Sequence, residues 1–592
     1  MILGTILVVV TWIVLSGVLL ILGLAVSSHR SASGQSGQIT MVTVRSSLWW
    51  GLALLLIAIL GVNLIFPLTS TAAALSIAVL VALALIVLLL RRPRLAIKRP
   101  LATSWLMIVV IAVGAIAVVF LGFAALGPVT NYDSGLYHLG AIKYAGEFPT
   151  ISGLANLYFP FGYNTSLYPF AAFLSNGPWS GEGYRLANGL IVALVVVDLL
   201  VRLITARGSV NRLSAGSWIL LVGTFIGLVP LVALSDYWVT SPSSDAPVMM
   251  LTFIACAYLA DAIFSKGMRN TNLATAFVIS VILFSLRPTM AVFLFGVFFV
   301  IVLVLIRDRP TRDTISNLFP LVGAGLVGIL MLAVQTTRDY FLSGWFQFPL
   351  SLYSFNTPWT ALEPSWNRTA TLGNARNPAD IWGSVEGFAW VGPWIGRLPS
   401  QWESYLILVL ALALIFLITA ARLNRIRIRW RALDVILIPS ALTTFTWFFF
   451  SPPAFRFGWG PVFSLLIIPI GMTLFTLARS NRRPVGVTRL APLAALTLAL
   501  GLVIVTSYTS AFRLPNLLNP QAASFTLGPI AIKYQLTPVV DVPTQERVLS
   551  NGLVTTFPTE SDQCWDNYPL CTPIVSESVR LRGEGIQNGF LP

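Results

Sequence analysis

Long uninterrupted runs of apolar residues, separated by short polar stretches, recur along the whole sequence. A run of about twenty apolar residues can cross a bilayer as a helix, because a helix satisfies its own backbone groups where no water is present. The first run, Ile2–Val26, is too long for a signal-peptide core and has no basic segment before it, so we predict a retained helix. The pattern predicts an all-α polytopic membrane protein with about fourteen transmembrane helices. They are predicted at residues 2–26, 48–66, 71–90, 103–126, 184–204, 216–234, 246–263, 272–286, 289–306, 317–335, 402–420, 433–450, 461–477 and 490–508.

Three polar regions are too long to be turns between these helices. They are the loops 127–183 and 336–401 and the C-terminal tail, 509–592. We divide the chain into additional N-terminal transmembrane helices at 1–102, a transmembrane core at 103–508 and this tail. Functional residues concentrate on elaborated loops more than on minimal ones. We therefore expect the chemistry on the side of the membrane that carries both long loops and the tail.

The charges separate the two sides of the predicted membrane. The short loops and their flanking turns hold 24 of the 37 Lys and Arg residues but only 5 of the 22 Asp and Glu residues. The positive-inside rule makes these loops cytoplasmic, so both termini and the long loops are predicted to be exoplasmic on a cytoplasmic (inner) membrane protein. The net charge of +15 then reflects topology and contact with membrane lipid, and we expect no nucleic-acid partner. The absence of a nucleotide-binding fingerprint argues against an ATP-driven pump.

The stretch NYDSGLYHLGAIKYAGEFP places Asp133 a few residues beyond a predicted helix, with Tyr137, His138 and Lys143 close behind it. A helix over 134–146 would be amphipathic and would suit the membrane surface. Desolvation at such an interface raises the pKa of a carboxylate, which suits Asp133 to act as a general base toward a hydroxyl. The alternative is a solvated loop charge or a helix cap. One histidine with scattered acids is a poor metal site, and we expect no cofactor.

Three further charged residues lie near the predicted outer ends of helices. Asp245 opens a helix, where it would bind substrate or serve as an N-terminal cap. Arg287 and Arg456 border apolar segments, where an unpaired charge is costly. Each would clamp a lipid phosphate or form a structural ion pair, for Arg287 with Asp133 or Asp245.

The loop 336–401 is rich in tryptophan, which is typical of an aromatic belt at a membrane interface. Aromatic faces also stack on sugar rings, and we single out Trp359 and Arg376 as candidate substrate-binding residues. Cys564 and Cys571 lie seven residues apart in the tail. An oxidising compartment would allow them to form a disulfide; the alternatives are two free thiols or a metal pair, and no further Cys or His lies nearby to complete a metal site.

An acid in the first large exoplasmic loop of a polytopic helical core, with an interfacial helix, resembles the GT-C superfamily of glycosyltransferases. Four stretches are similar to uncharacterised bacterial membrane proteins often grouped with it: NYDSGLYHLGAIKYAGEFPTISGLANL, SPSSDAPVMML, PPAFRFGWG and the tail QCWDNYPLCTP…VRLR. The superfamily's acid follows the first apolar segment, whereas Asp133 follows the fourth. The resemblance therefore implies a GT-C-like core preceded by three extra helices.

The resemblance implies transfer of a sugar from a polyprenyl-phosphate donor to a cell-envelope glycan, glycolipid or protein at the outer membrane face. Asp133 would be the general base, and Arg287, Arg456 or Lys143 would stabilise the departing phosphate. Two alternatives remain. A lipid-linked glycan flippase would need charged residues along a path through the core, of which the sequence shows few. A glycan polymerase or ligase would rely on loop arginines such as Arg376.

Overall fold

The computed structural model describes residues 1–27, 38–95, 105–206, 210–233, 235–264, 268–308, 318–350, 352–362, 365–426, 430–480, 521–527 and 530–592. The helices there are α1 (Ile2–Ser27), α2 (Met41–Asn63), α3 (Thr71–Arg91), α4 (Trp105–Ala124), α5 (Leu139–Glu147), α6 (Leu154–Leu157), α7 (Leu167–Leu174), α8 (Tyr184–Thr205), α9 (Ala215–Ala233), α10 (Ser235–Trp238), α11 (Asp245–Phe264), α12 (Arg269–Leu286), α13 (Ala291–Asp308), α14 (Phe319–Leu342), α15 (Ser365–Arg376), α16 (Val391–Gly396), α17 (Trp402–Leu423), α18 (Trp430–Phe450) and α19 (Phe455–Ala478).

Eleven helices in the described parts of the chain are long and apolar enough to cross a membrane. The protein is therefore an all-α polytopic membrane protein. Two shorter apolar helical segments, Ile111–Ala124 and Ala215–Gly227, lie at two further predicted spans. The predicted span at 490–508 falls outside the described residues, so the count of fourteen stays a prediction.

Close backbone contact joins the first two helices. A Cβ atom on Gly23 of α1 would lie 1.8 Å from the Ser47 carbonyl oxygen, and one on Gly51 of α2 would lie 1.9 Å from the Leu19 carbonyl oxygen. Larger side chains would force the helices apart, so small residues set this crossing. α1 also reaches the core, because Trp12 Nε1 donates to the Leu186 carbonyl of α8 at 3.0 Å.

Several helices extend beyond their predicted bounds, and two of these corrections place a charged residue on a helix near the long loops. α14 continues to Leu342 rather than 335 and carries Arg338, which donates to the buried Asn63 and Asn164. α19 begins at Phe455 rather than 461 and so carries Arg456 in its first turn. Glycines are common in loops, but in the first turns of α19 they allow close packing. A Cβ atom on Gly458 would lie 2.7 Å from the Trp447 ring.

The loop 127–183 folds into short helices against the end of the bundle. Residues Ser134–His138 form a π-helical turn, and α5 continues from it, so the predicted helix at 134–146 begins with a wider turn. Much of α5 is buried against α7. Its predicted position on a membrane surface stays a prediction.

The tail adds antiparallel β-structure at the same end of the molecule. The strands in the described residues are β1 (Gln38–Ile39), β2 (Arg94–Leu95), β3 (Trp345–Phe346), β4 (Tyr353–Ser354), β5 (Gln521–Leu527), β6 (Ile530–Leu536), β7 (Thr544–Val548), β8 (Val554–Pro558), β9 (Arg580–Leu581) and β10 (Phe590–Leu591). Strands β5 to β10 belong to the tail. β5 pairs with β6, β7 with β8 and β9 with β10. We call the end of the bundle that carries both long loops and this tail the site end.

Candidate functional site

Asp133 lies just before the π-helical turn, and its backbone is fixed by a neighbouring side chain. The Asp133 N–H donates to Asn131 Oδ1 at 2.9 Å, a turn in which an asparagine side chain imitates the backbone. The next residue, Ser134, is buried and shares a hydrogen bond of 2.6 Å with Ser241. The turn therefore ties Asp133 to the segment that precedes α11.

The Asp133 carboxylate pairs with a guanidinium that is 323 residues away in the sequence. Arg456 Nη1 lies 3.2 Å from Asp133 Oδ2 and donates to the Tyr237 hydroxyl at 3.0 Å. Both charged side chains remain accessible, at 23% for Asp133 and 37% for Arg456. Burial raises the pKa of Asp133, Arg456 lowers it and the charge of Asp245 raises it further, with a net increase over the ordinary value. A carboxylate in this state is a stronger proton acceptor than one in water.

A second ion pair lies beside the first and is more deeply buried. Arg287 contacts Asp245 and donates to Ser244 Oγ at 2.9 Å, while the Ser243 hydroxyl donates to Asp245 Oδ2 at 2.9 Å. The exposed fractions of the two charged side chains are 12% and 4%. Because Arg287 Nη1 also donates to the Phe457 carbonyl at 3.4 Å, this pair braces the first turn of α19, where Arg456 lies.

Aromatic rings form a buried wall behind the acid. The ring of Tyr137 lies 5.5 Å from that of Tyr163 and 6.5 Å from that of Tyr168, and His138 lies 5.5 Å from Tyr168. Burial lowers the pKa of His138 to about 3, so the imidazole is neutral at physiological pH. It hydrogen-bonds Ser134 at 3.2 Å. Tyr137 and His138 therefore support the turn that carries Asp133.

The C-terminal tail packs directly on this turn. Trp565 donates its backbone N–H to the Gly135 carbonyl at 2.9 Å, and a Cβ atom on Gly135 would lie 2.6 Å from the Trp565 ring. A disulfide joins Cys564 to Cys571, with their Cα atoms 5.8 Å apart. Lys143 faces the tail as well, because its Nζ lies 2.7 Å from Asp566 Oδ1.

Trp359 and Arg376 lie in other surroundings. Trp359 is buried, donates to the Tyr340 carbonyl at 2.9 Å and stacks under the Arg582 guanidinium, 4.7 Å away. Arg376 is also buried and donates to three backbone carbonyls, including Phe449 at 2.9 Å. Through these contacts both residues stabilise the loop 336–401 and the tail. None of these contacts joins Trp359 or Arg376 to Asp133.

A cavity of about 400 Å³ opens beside Arg456, between the first turns of α17 and α19 and the loop that precedes α17. Its lining includes Tyr237, Trp394, Arg397, Trp402, Glu403, Arg456 and Trp459. Sequence reasoning missed Tyr237 and Glu403. Glu403 is an acid in the first turn of an apolar helix, which is the same pattern that made Asp245 a candidate. Applying this criterion to every predicted helix would have identified Glu403. In the described part of the chain, no group of three or more His, Cys, Asp or Glu side chains could hold a metal ion.

A family model described as a domain of unknown function (DUF8201) matches residues 5–463. The chain belongs to this family. The match includes Asp133, Asp245, Arg287 and Arg456, and it stops before the tail. No curated protein and no solved structure matches the chain. The family match therefore extends from α1 into the first part of α19 and includes both ion pairs, without naming a reaction.

Proposed function

We propose that this protein is a membrane glycosyltransferase of GT-C type that moves a sugar from a polyprenyl-phosphate donor to an acceptor hydroxyl. The observation that carries the proposal is the Asp133–Arg456 pair, a partly exposed acid with a raised pKa next to an accessible cation at the mouth of a cavity. A base for the acceptor and a positive charge for the departing phosphate are the two groups that such a transfer needs.

The proposed reaction is a direct displacement. The acceptor oxygen bonds to the anomeric carbon while the bond from that carbon to the phosphate oxygen breaks. The hydroxyl proton goes to Asp133, and the electron pair of the broken bond leaves with the lipid phosphate. Attack opposite the leaving group inverts the anomeric centre, and the step requires no cofactor.

The two arginines have different proposed roles because their exposure differs. Arg456 has 37% of its side chain exposed and can meet the phosphate without leaving Asp133, since a guanidinium carries five N–H donors. Arg287 is largely buried and neutralised by Asp245, so it positions the first turn of α19. Lys143 is tied to the tail by Asp566 and is a weaker candidate for phosphate contact.

The proposed site of action is the outer face of the cytoplasmic membrane, with both termini exoplasmic. The acceptor would be a cell-envelope glycan, a glycolipid or a protein. A cysteine placed at the exposed Asp541 of the tail should react with a membrane-impermeant maleimide in intact cells, and one at the exposed Arg422 should react only after permeabilisation. The reverse labelling pattern would put the site on the cytoplasmic face.

Transfer itself is tested with purified protein in liposomes that contain a defined polyprenyl-phosphate sugar and a panel of acceptors. We expect release of polyprenyl phosphate together with a new glycosidic bond. A second assay on the same liposomes follows movement of the intact donor between leaflets. Donor movement without cleavage would replace the proposal with a flippase.

A further inference from the structure

We infer that the cavity beside Arg456 binds an uncharged pyranose unit of the acceptor glycan and that Glu403 forms hydrogen bonds with the hydroxyl groups of this sugar. Binding of a saccharide is independent of the proposed function, whereas its assignment to the acceptor rests on that function. The inference draws on three features: the size of the cavity, its aromatic lining and two buried polar atoms of opposite hydrogen-bonding type.

The size of the cavity suits a small polar ligand better than a lipid chain. Its volume of about 400 Å³ lies near the lower end of small-molecule sites, which span roughly 300–1,000 Å³. Trp394, Trp402 and Trp459 line it, and the rings of Trp402 and Trp459 meet edge to face at 5.4 Å. The apolar C–H face of a pyranose packs on such rings, while its hydroxyls need polar partners around them.

The polar partners are side-chain atoms of two residues that line the cavity. Glu403 is 4% exposed; its Oε1 accepts from Trp459 Nε1 at 2.8 Å, while its buried Oε2 has no hydrogen-bond partner among the described residues. The buried Arg397 Nε likewise has none there, although its Nη2 donates to the carbonyls of Ala375 and Arg376 at 2.7 Å. A buried polar atom left unpaired is costly, and a sugar hydroxyl both donates and accepts. Both residues line the cavity, so a turn of each side chain would bring the Glu403 acceptor and the Arg397 donor to a pyranose hydroxyl.

The position of the cavity explains the assignment to the acceptor. Arg456 and Tyr237 belong to its lining, and Arg456 also contacts Asp133. A saccharide seated on the tryptophans would lie next to Arg456, whose guanidinium contacts Asp133. Its hydroxyl could then approach Asp133 past Arg456, while the membrane-anchored donor reaches the same pair from the bilayer.

The test is saturation-transfer NMR and tryptophan fluorescence on the full chain in nanodiscs free of sugar-based detergent. The probes are methyl pyranosides and uncharged disaccharides. We expect at least one to bind both the parent and Asp133→Asn proteins. Glu403→Gln should weaken that binding about tenfold or more, because charge-assisted hydrogen bonds are roughly twice as strong as neutral ones. Trp402→Ala should weaken it by a similar factor through loss of the aromatic face.

Matched controls are Glu386→Gln and Trp366→Ala, which change an exposed acid and an exposed tryptophan of the loop 336–401 that do not line the cavity. Both should bind the probes like the parent. Absence of any probe binding that depends on Glu403 would overturn the inference. Displacement of the saccharide by a short prenyl phosphate would assign the cavity to the donor and overturn it too. Glu403-dependent binding by a protein that transfers no sugar would retain the cavity and reject the proposed function alone.

Discussion

Two clusters, each of two acids and two arginines, lie at opposite ends of the helical bundle and differ in how far their side chains are exposed. At the end opposite the site end, Asp198 and Asp261 pair with Arg45 and Arg202. Each of these four side chains is at most 8% exposed. At the site end, Asp245 and Arg287 are similarly buried, whereas Asp133 and Arg456 are 23% and 37% exposed.

Hydrogen bonds from within the protein occupy the Asp198 carboxylate of the opposite cluster. Asp198 Oδ2 accepts from Trp49 Nε1 at 2.9 Å and from the Tyr258 hydroxyl at 2.8 Å, while Asp198 Oδ1 lies 2.7 Å from Arg202 Nε. A carboxylate with three such partners has little capacity left for a ligand. Acids and arginines fix the packing of helices where the protein encloses them. Where one acid and one cation remain accessible, the same residue types can contact a substrate.

The largest expected effect is a loss of folding stability when the enclosed cluster around Asp198 is broken. Asp198→Ala leaves Arg202 and Arg45 with fewer counter-charges in a buried position, and breaking a buried pair from one side costs about 3–5 kcal/mol. We expect the midpoint of denaturant unfolding in detergent to fall accordingly. Protein that remains folded should still transfer sugar at a near-parental rate, and a specific loss of transfer without loss of stability would contradict the division of roles.

A smaller effect is expected at the accessible cation. Arg456→Gln would remove the proposed charge-assisted contact to the phosphate, and such contacts contribute about 1.5–3 kcal/mol, or roughly 10- to 150-fold. Arg456→Lys should lie between the parent and Arg456→Gln, because it keeps the charge but loses the planar fork. The measurement is donor affinity and transfer rate. Equal donor binding by all three proteins would make Arg456 a structural partner of Asp133 only.

The smallest effect is a displacement of the pH profile. The proposed mechanism requires ionised Asp133, so we expect the rate to fall as the pH drops through the pKa of this group, which lies above the ordinary value of a carboxyl. The charge of Arg456 lowers this pKa, so Arg456→Gln should move the acid limb to higher pH. The Glu386→Gln protein provides the control. An acid limb that stays in place, or moves to lower pH, would show that Asp133 is not the titrating group.

Much of the fold follows from the sequence because bilayer-length apolar runs dominate it. The positions of most long helices were predictable. The start of α19 was not predictable, because it contains glycines that pack against Trp447 and Thr252, and glycine is a poor helix former by residue type. Arg456 was therefore placed before the helix rather than in its first turn.

The pairing within the site depended on information that local sequence does not contain. Nothing near Asp133 indicates that Arg456, and not Arg287, lies beside it, since the tertiary fold alone joins positions 323 residues apart. Trp359 and Arg376 have suitable chemistry for sugar binding, yet their contacts are to Tyr340, Arg582 and backbone carbonyls. Residue type predicted what these side chains could do but not which groups surround them.

The most direct test of the account is Asp133→Asn, measured for transfer and for unfolding in the same preparation. Asparagine keeps the size and most hydrogen bonds but cannot take the proton of the acceptor, and loss of a general base costs about 10²–10⁴ in rate. Because Asp133 and Arg456 are partly exposed, loss of their ion pair should change the unfolding free energy of the protein by no more than about 1 kcal/mol. Asp541→Asn, at an exposed acid of the tail, should change neither quantity. Near-parental transfer by Asp133→Asn would contradict the catalytic assignment.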